Sequence, residues 1–223
     1  MVKRMDLTIT NNNSTDMEHA NHVEHPDMYD VESSKVGMWL FIFTELLLFG
    51  GLFLVYAVYR YMNADAFHLA AEQLNTTIGA FNTVILLISS MTVAMATTAL
   101  QKGHRKLAVG LVVITFLIGL GFLVNKWFEW GVKFDHGIWP GSEHMLESMS
   151  QGEILFFGLY FVMTGLHGLH IIIGMIIMGY AIRGLMNGKV TSERPSLLDN
   201  CGLYWHLVDL IWIFLFPLFY LIT

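Results

Sequence analysis

Five residues of the kinds that ligate metals or carry protons lie inside long apolar stretches of this chain: Glu45, His167, His170, His206 and Asp209. Glu45 stands within KVGMWLFIFTELLLFGGLFLVYAVYR, Lys35 to Arg60. At ~1.5 Å rise per residue it lies roughly 14 Å along a helix beginning at Val36, about half of a ~30 Å hydrocarbon core. A charge at that depth costs roughly 2.5 to 3.5 kcal/mol on insertion scales, so such residues face other helices and are kept for a purpose. The plainer reading is a carboxylic acid that hydrogen-bonds a neighbouring helix. His167 and His170 occur in YFVMTGLHGLHIIIGM, three apart, beside Gly165, Gly168 and Gly174, which thin one face. His206 and Asp209, in YWHLVDLIW, are also three apart, and a neutral imidazole donating to the carboxylate would satisfy both.

Three chemistries compete for this set. A haem-carrying anchor would use imidazoles of facing helices as axial ligands. A metal-dependent membrane enzyme would need a cluster of His and carboxylate ligands with an open position. A non-catalytic helical subunit would use the same groups to tie helices, lipid and a partner together. His167 and His170 lie near mid-membrane, whereas His206 and Asp209 lie roughly 5 and 9 Å below one end of their span at ~1.5 Å per residue. Ligands so sparse and so spread in depth favour the third reading.

The elements that must position these residues are membrane helices. With 223 residues, 55% hydrophobic and 13% charged, the chain reads as one polytopic membrane domain. The fold class is all-α, a bundle of five transmembrane helices at about 36–59, 79–100, 107–124, 154–182 and 203–222. The single Cys201 excludes a disulfide framework, a CxxC pair and a thiolate copper or iron–sulfur site within this chain alone. The first 30 residues lack the apolar core of a cleavable signal peptide, so the first span serves as the insertion signal. The formal charge of −6 sits largely in loops and argues against nucleic acid.

Residues 1–34 read as a disordered, acidic cytoplasmic tail, and residues 35–223 as the membrane domain. His19, His22 and His25 recur every three residues in that tail, either as a metal site or as solvated imidazoles. Lys3, Arg4, Lys35, Lys102, Arg105, Lys106, Arg183, Lys189 and Arg194 fall on one side, against Arg60, Lys126 and Lys133 on the other. That bias places the N-terminus in the cytoplasm and the C-terminus outside. The second span is rich in Ser89, Ser90, Thr92 and Ala94, a signature of close helix packing. The third ends in NKWFEW, where Trp127 and Trp130 suit the outer interface and Glu129 lies near the headgroups. The loop that follows, with Asp135, Glu143, Glu147 and Glu153, reads as solvated, or as an acidic surface steering a basic soluble partner. Pro217 can kink the last helix near its outer end.

In this order, GMWLFIFTELLLFGGLF, FNTVILLISSMTVAMA, YFVMTGLHGLHIIIGM and YWHLVDLIWIFLFPLFY resemble subunit III of the haem–copper respiratory oxidases, most closely that of cytochrome c oxidase, over about Lys35 to Thr223. The resemblance implies a subunit without haem, copper or catalytic residues of its own. It would pack against the catalytic subunit I, with subunit II in the same complex, and meet cytochrome c or quinol only indirectly. It would support assembly, stability and proton uptake in a bacterial-type inner membrane, with bound phospholipid possible. Glu45 stands at the family's intramembrane carboxylate, with Thr44 where Ser is usual. His167 and His170 match its T-G-x-H-G-x-H motif, and Tyr204, Trp205, His206, Asp209 and Trp212 its Y-W-H-x-x-D-x-x-W motif; these sets are structural and lipid-facing in the family. Longer members have seven helices with a lipid-holding cleft; this chain lacks the first pair, which some relatives attach to the catalytic subunit. The alternatives are the equivalent subunit of a quinol oxidase or a nitric oxide reductase and, from another class, a bis-histidine haem anchor.

Overall fold

The structure, a computed structural model, describes residues 28–193 and 195–222, with side chains from residue 33 onward. Among the described residues there are seven helices: α1 (Met28–Met62), α2 (Ala64–Glu72), α3 (Thr76–Gln101), α4 (Arg105–Asp135), α5 (Glu143–Ser148), α6 (Gln151–Met186) and α7 (Ser196–Tyr220). Five of them, counting α1 from Ser33, are long and apolar enough to cross a membrane. They contain the first four spans expected from the sequence and extend beyond them, while α7 begins seven residues before the fifth, 203–222, and ends two residues short of its end. At ~1.5 Å per residue, α4 and α6 run roughly 46 and 54 Å, well past a ~30 Å core.

The extensions follow from the ends of the helices. The side chain of Ser150 accepts from the Glu153 N–H while Glu153 reaches back to the Ser150 N–H, a capping box that starts α6 before its apolar run begins. Asn75 caps α3 through the Ile78 N–H at 3.2 Å. The loops expected between spans contain two short helices that hydropathy does not reveal. One is α2, which buries Phe67, Ala70 and Ala71; the other is α5, capped by Ser142. Helix α1 starts at Met28, so the last seven residues of the stretch 1–34 are helical. The histidines at 19, 22 and 25 lie outside the described residues.

Helices α6 and α7 form the centre, with about half of their span residues buried, against 11% for α1. Helix α3 lies between α4 and α7, α4 also packs on α6, and α1 rests on the edge formed by α6 and α7. Trp205, among the largest fully buried side chains, lies between two glycines. A Cβ on Gly119 of α4 would stand 2.7 Å from its ring, and one on Gly174 of α6 would stand 3.0 Å from it. Close approach of backbones is what small residues supply in a membrane, where apolar burial alone distinguishes poorly between lipid and protein. Hydroxyls of α3 then take the indole N–H groups of α7: Trp205 donates to Ser89 Oγ and Trp212 to Thr83 Oγ1, both at 3.0 Å. Of the residues that mark the second span as a packing helix, Ser89 thus serves as an acceptor. Gly168, by contrast, faces open space, since a Cβ there would have nothing within 4 Å, while Gly174 makes the helix contact.

Candidate functional site

The histidines and carboxylates expected to act together are distributed over three places. At the edge of the bundle, His170 Nε2 lies 2.9 Å from Glu45 Oε2. His170 Nδ1 lies 2.7 Å from the Leu166 carbonyl oxygen, which can only accept, so Nδ1 carries a hydrogen. One proton then remains for the Nε2···Oε2 contact. It resides on the imidazole, giving an ion pair, or on the carboxyl, giving a neutral pair, and the hydrogen bond survives in both states. The edge of the Phe49 ring packs on the imidazole with centroids 5.4 Å apart, and Tyr204 donates to the His170 carbonyl oxygen at 3.1 Å. Helix α1 carries Glu45 roughly 18 Å from Ser33 at ~1.5 Å per residue. Both side chains are largely covered, with 14% of Glu45 and 9% of His170 exposed.

His167, one turn earlier on α6, points elsewhere. Fully buried, it stacks on Trp212 at 5.3 Å and meets the edge of Phe122 at 5.7 Å, and neither ring nitrogen has a hydrogen-bond partner among the described residues. A spacing of three puts two side chains about 60° apart around a helix, enough here to send one to α1 and the other into the core.

The expected His206–Asp209 hydrogen bond is not formed. His206 Nδ1 pairs with Ser90 Oγ of α3 at 2.6 Å, and the buried carboxylate oxygens of Asp209 have no partner among the described residues. Helix α7 begins at Ser196, so these residues lie roughly 15 and 20 Å along it at ~1.5 Å per residue rather than near its start. Of the motif residues expected to be structural and lipid-facing, His167, His170, Tyr204, Trp205, Asp209 and Trp212 are buried within this chain and His206 is half-buried. Among the described residues, no group of three or more His, Cys, Asp or Glu could hold a metal ion.

A third polar cluster escapes the hydropathy reading. Lys126, Glu129 and Lys133, at i, i+3 and i+7 of α4, turn one charged face inward and are all buried. Lys126 Nζ reaches Glu129 Oε2 at 3.0 Å, while Tyr160 donates to Oε1 at 2.7 Å and Tyr220 donates to the same oxygen. Lys126 also lies 4.8 Å from the centre of the Trp212 ring, a cation–π position. Glu129, read from the sequence as a headgroup residue, is a buried carboxylate with three donors on helices α4, α6 and α7. The i, i+3, i+7 spacing is the available signal, masked by the flanking Trp127 and Trp130.

Comparison with known proteins bears on what this arrangement serves. The family model described as cytochrome c oxidase subunit III matches residues 7–223. A quinol oxidase subunit 3 of Bacillus spizizenii is 33% identical, over 92% of this chain and 97% of its own length. A cytochrome c oxidase subunit 3 of Thermostichus vulcanus is 29% identical over 93% of this chain and 92% of its own length. A heme-copper oxidase subunit I+III of Aeropyrum pernix is 26% identical over 90% of this chain, which spans 24% of that fused protein. With the family pattern running through all five spans, the chain belongs to the cytochrome c oxidase subunit III family.

Proposed function

We propose that this multi-pass membrane chain, as subunit III of a haem–copper oxidase, holds the catalytic subunit in a durable working state and supports its proton uptake through the Glu45–His170 pair, without a redox centre of its own. The observation that carries the reading is the pair itself: an imidazole and a carboxyl 2.9 Å apart, joining the outermost helix to α6 at the margin of the bundle. Around it the face of α1 is unpaired and apolar, with Trp39, Leu40, Phe43 and Leu47 each about 60% exposed. A face of that kind suits lipid or a neighbouring membrane subunit. The fused subunit I+III relative supports subunit I as that neighbour, and subunit II would share the complex.

The histidine geometry disfavours a bis-histidine haem anchor. Both nitrogens of His170 are engaged, His206 is bonded to Ser90, and His167 is enclosed by Phe122 and Trp212. Relatives named as quinol and as cytochrome c oxidase subunits both match, and the proposed role is the same with either donor. The excess of Lys and Arg at the α3–α4 and α6–α7 ends supports a cytoplasmic N-terminus and an outer C-terminus.

The test is Glu45→Ala in the assembled oxidase, reconstituted in vesicles, with oxygen consumption and proton release recorded over repeated turnovers. Initial oxygen reduction should stay within about twofold of wild type, while proton release per electron or the number of turnovers before inactivation falls. Loss of all oxidase activity in an assembled complex would assign Glu45 a direct part in catalysis. Unchanged release and durability would reduce the pair to a helix-packing hydrogen bond.

A further inference from the structure

Where α3 turns into α4, beside the end of α6, a groove of about 1000 Å³ is lined by His104, Arg105, Lys106, Leu107, Val109 and Met186. Two kinds of surface meet in it. His104 and Lys106 are exposed and Arg105 is half-buried, while Leu107 and Met186 remain 55% and 67% exposed. Lys102 stands just before the Gly103 turn, whose φ of 81° reverses the chain, and Arg183 and Lys189 flank Met186.

Nothing nearby in sequence neutralises these cations. The chain has no Asp or Glu between Glu72 and Glu129, nor between Glu153 and Glu193. The ion pairs found among the described residues, His68–Glu72, Lys126–Glu129 and His170–Glu45, all lie elsewhere. Arg105 and Lys106 also occupy the first turn of α4, which has no acidic residue and no side-chain cap. Cations there oppose the positive end of the helix dipole, and an anion would relieve both. Arg105 donates to the Met186 carbonyl oxygen, joining the two walls of the groove.

We propose that this groove binds an anionic phospholipid. Its phosphate sits against Arg105, Lys106 and the start of α4, and its acyl chains run along Leu107, Val109 and Met186 into the bilayer. A soluble anion would meet the cations and leave the apolar wall in water. An amphiphile with a negative head meets both, and basic pockets at the membrane surface between helices recognise such headgroups. The inference does not depend on the electron donor or on the Glu45–His170 reading.

The test uses the assembled oxidase in phosphatidylcholine vesicles that contain a photoactivatable phosphatidylglycerol, with photoactivatable phosphatidylcholine in a parallel sample. Label is quantified by mass spectrometry on peptides carrying residues 103–109 and 183–189. Phosphatidylglycerol should label these peptides at least about fivefold more than phosphatidylcholine, and Lys106→Gln, at an exposed position, should cut that excess by about fivefold. Arg60→Gln, at the other end of the bundle, should leave it unchanged. Equal labelling by the two lipids in wild type overturns the proposal, as does an excess that Lys106→Gln does not reduce. Loss of label on adding inorganic phosphate would assign the site to a soluble anion, and crosslinks from these peptides to a neighbouring subunit instead of lipid would assign it to protein; either result overturns the lipid site.

Discussion

Replacing Glu129 by leucine tests how the bundle is held at the C-terminal end of α4. The substitution removes one acceptor from three donors at once: Lys126 Nζ at 3.0 Å, the Tyr160 hydroxyl at 2.7 Å and the Tyr220 hydroxyl. Lys126 lies roughly 32 Å from Arg105 along α4 at ~1.5 Å per residue, about the thickness of a ~30 Å hydrocarbon core. An inserted but unpacked α4 can therefore hold Lys126 and Glu129 in headgroup water, so their desolvation on packing is a real cost. Removing one member of a buried pair leaves the other uncompensated, typically at about 3 to 5 kcal/mol. The aromatic faces around Lys126, at 4.8 to 5.3 Å, offset only part of that, about 1 to 2 kcal/mol. Glu129→Leu should then destabilise the subunit by roughly 1 to 4 kcal/mol. The double variant Lys126→Met/Glu129→Leu, which strands no charge, should be less destabilised than the single one. Denaturant unfolding of the purified complex, followed by tryptophan fluorescence and by retention of this subunit, measures both. A double variant at least as unstable as Glu129→Leu would refute the reasoning, because it would show that packing volume and not the stranded cation sets the cost.

Two further outcomes separate what spacing suggests from what packing dictates. Gly174→Leu should release this subunit during purification of the complex, since even a Cβ there meets Trp205 and Tyr204 at 3.0 Å, whereas Gly168→Leu, facing open space, should leave assembly intact. Asp209→Leu should change thermal stability by less than about 1 kcal/mol or raise it, because no donor is orphaned, while Ser90→Ala should cost about 1 kcal/mol through the loss of the 2.6 Å contact to His206.

The five spans and the motif residues are legible because hydrophobic length and family pattern are properties of contiguous sequence. Helix azimuth is not. His167 and His170 read as one pair, yet a modest rotation about the helix axis gives one Trp212 as its neighbour and the other Glu45. His206 and Asp209 read as partners because they share a face, but a hydroxyl from another helix competes for the imidazole, and only tertiary structure places Ser90 there. Glu129 reads as a headgroup residue because its neighbours Trp127 and Trp130 carry an interface signal. Trp127 is indeed 79% exposed, while Glu129 two residues on faces the core.

The three polar clusters also differ in what a proton could do there. At Glu129 the carboxylate meets an ammonium and two hydroxyls, a set that is satisfied as it stands and that holds α4, α6 and α7 together. At Asp209 the carboxyl is enclosed in protein beside Ser90 and makes no hydrogen bond of good geometry among the described residues. The Glu45–His170 pair alone combines a shared proton with a position on the rim, and it stays electrically neutral overall wherever that proton sits. Neutrality makes the pair tolerable at this depth, since an isolated charge there is costly. It also means that the pair changes net charge only when a second proton enters or the shared one leaves, an event that must be coupled to a compensating charge nearby. Within this chain α1 offers none at that depth, because its span from Val36 to Tyr59 contains no other Asp, Glu, Lys or Arg. On the proposed role, a compensating group would come from another helix of this chain or from whatever covers the exposed face of α1.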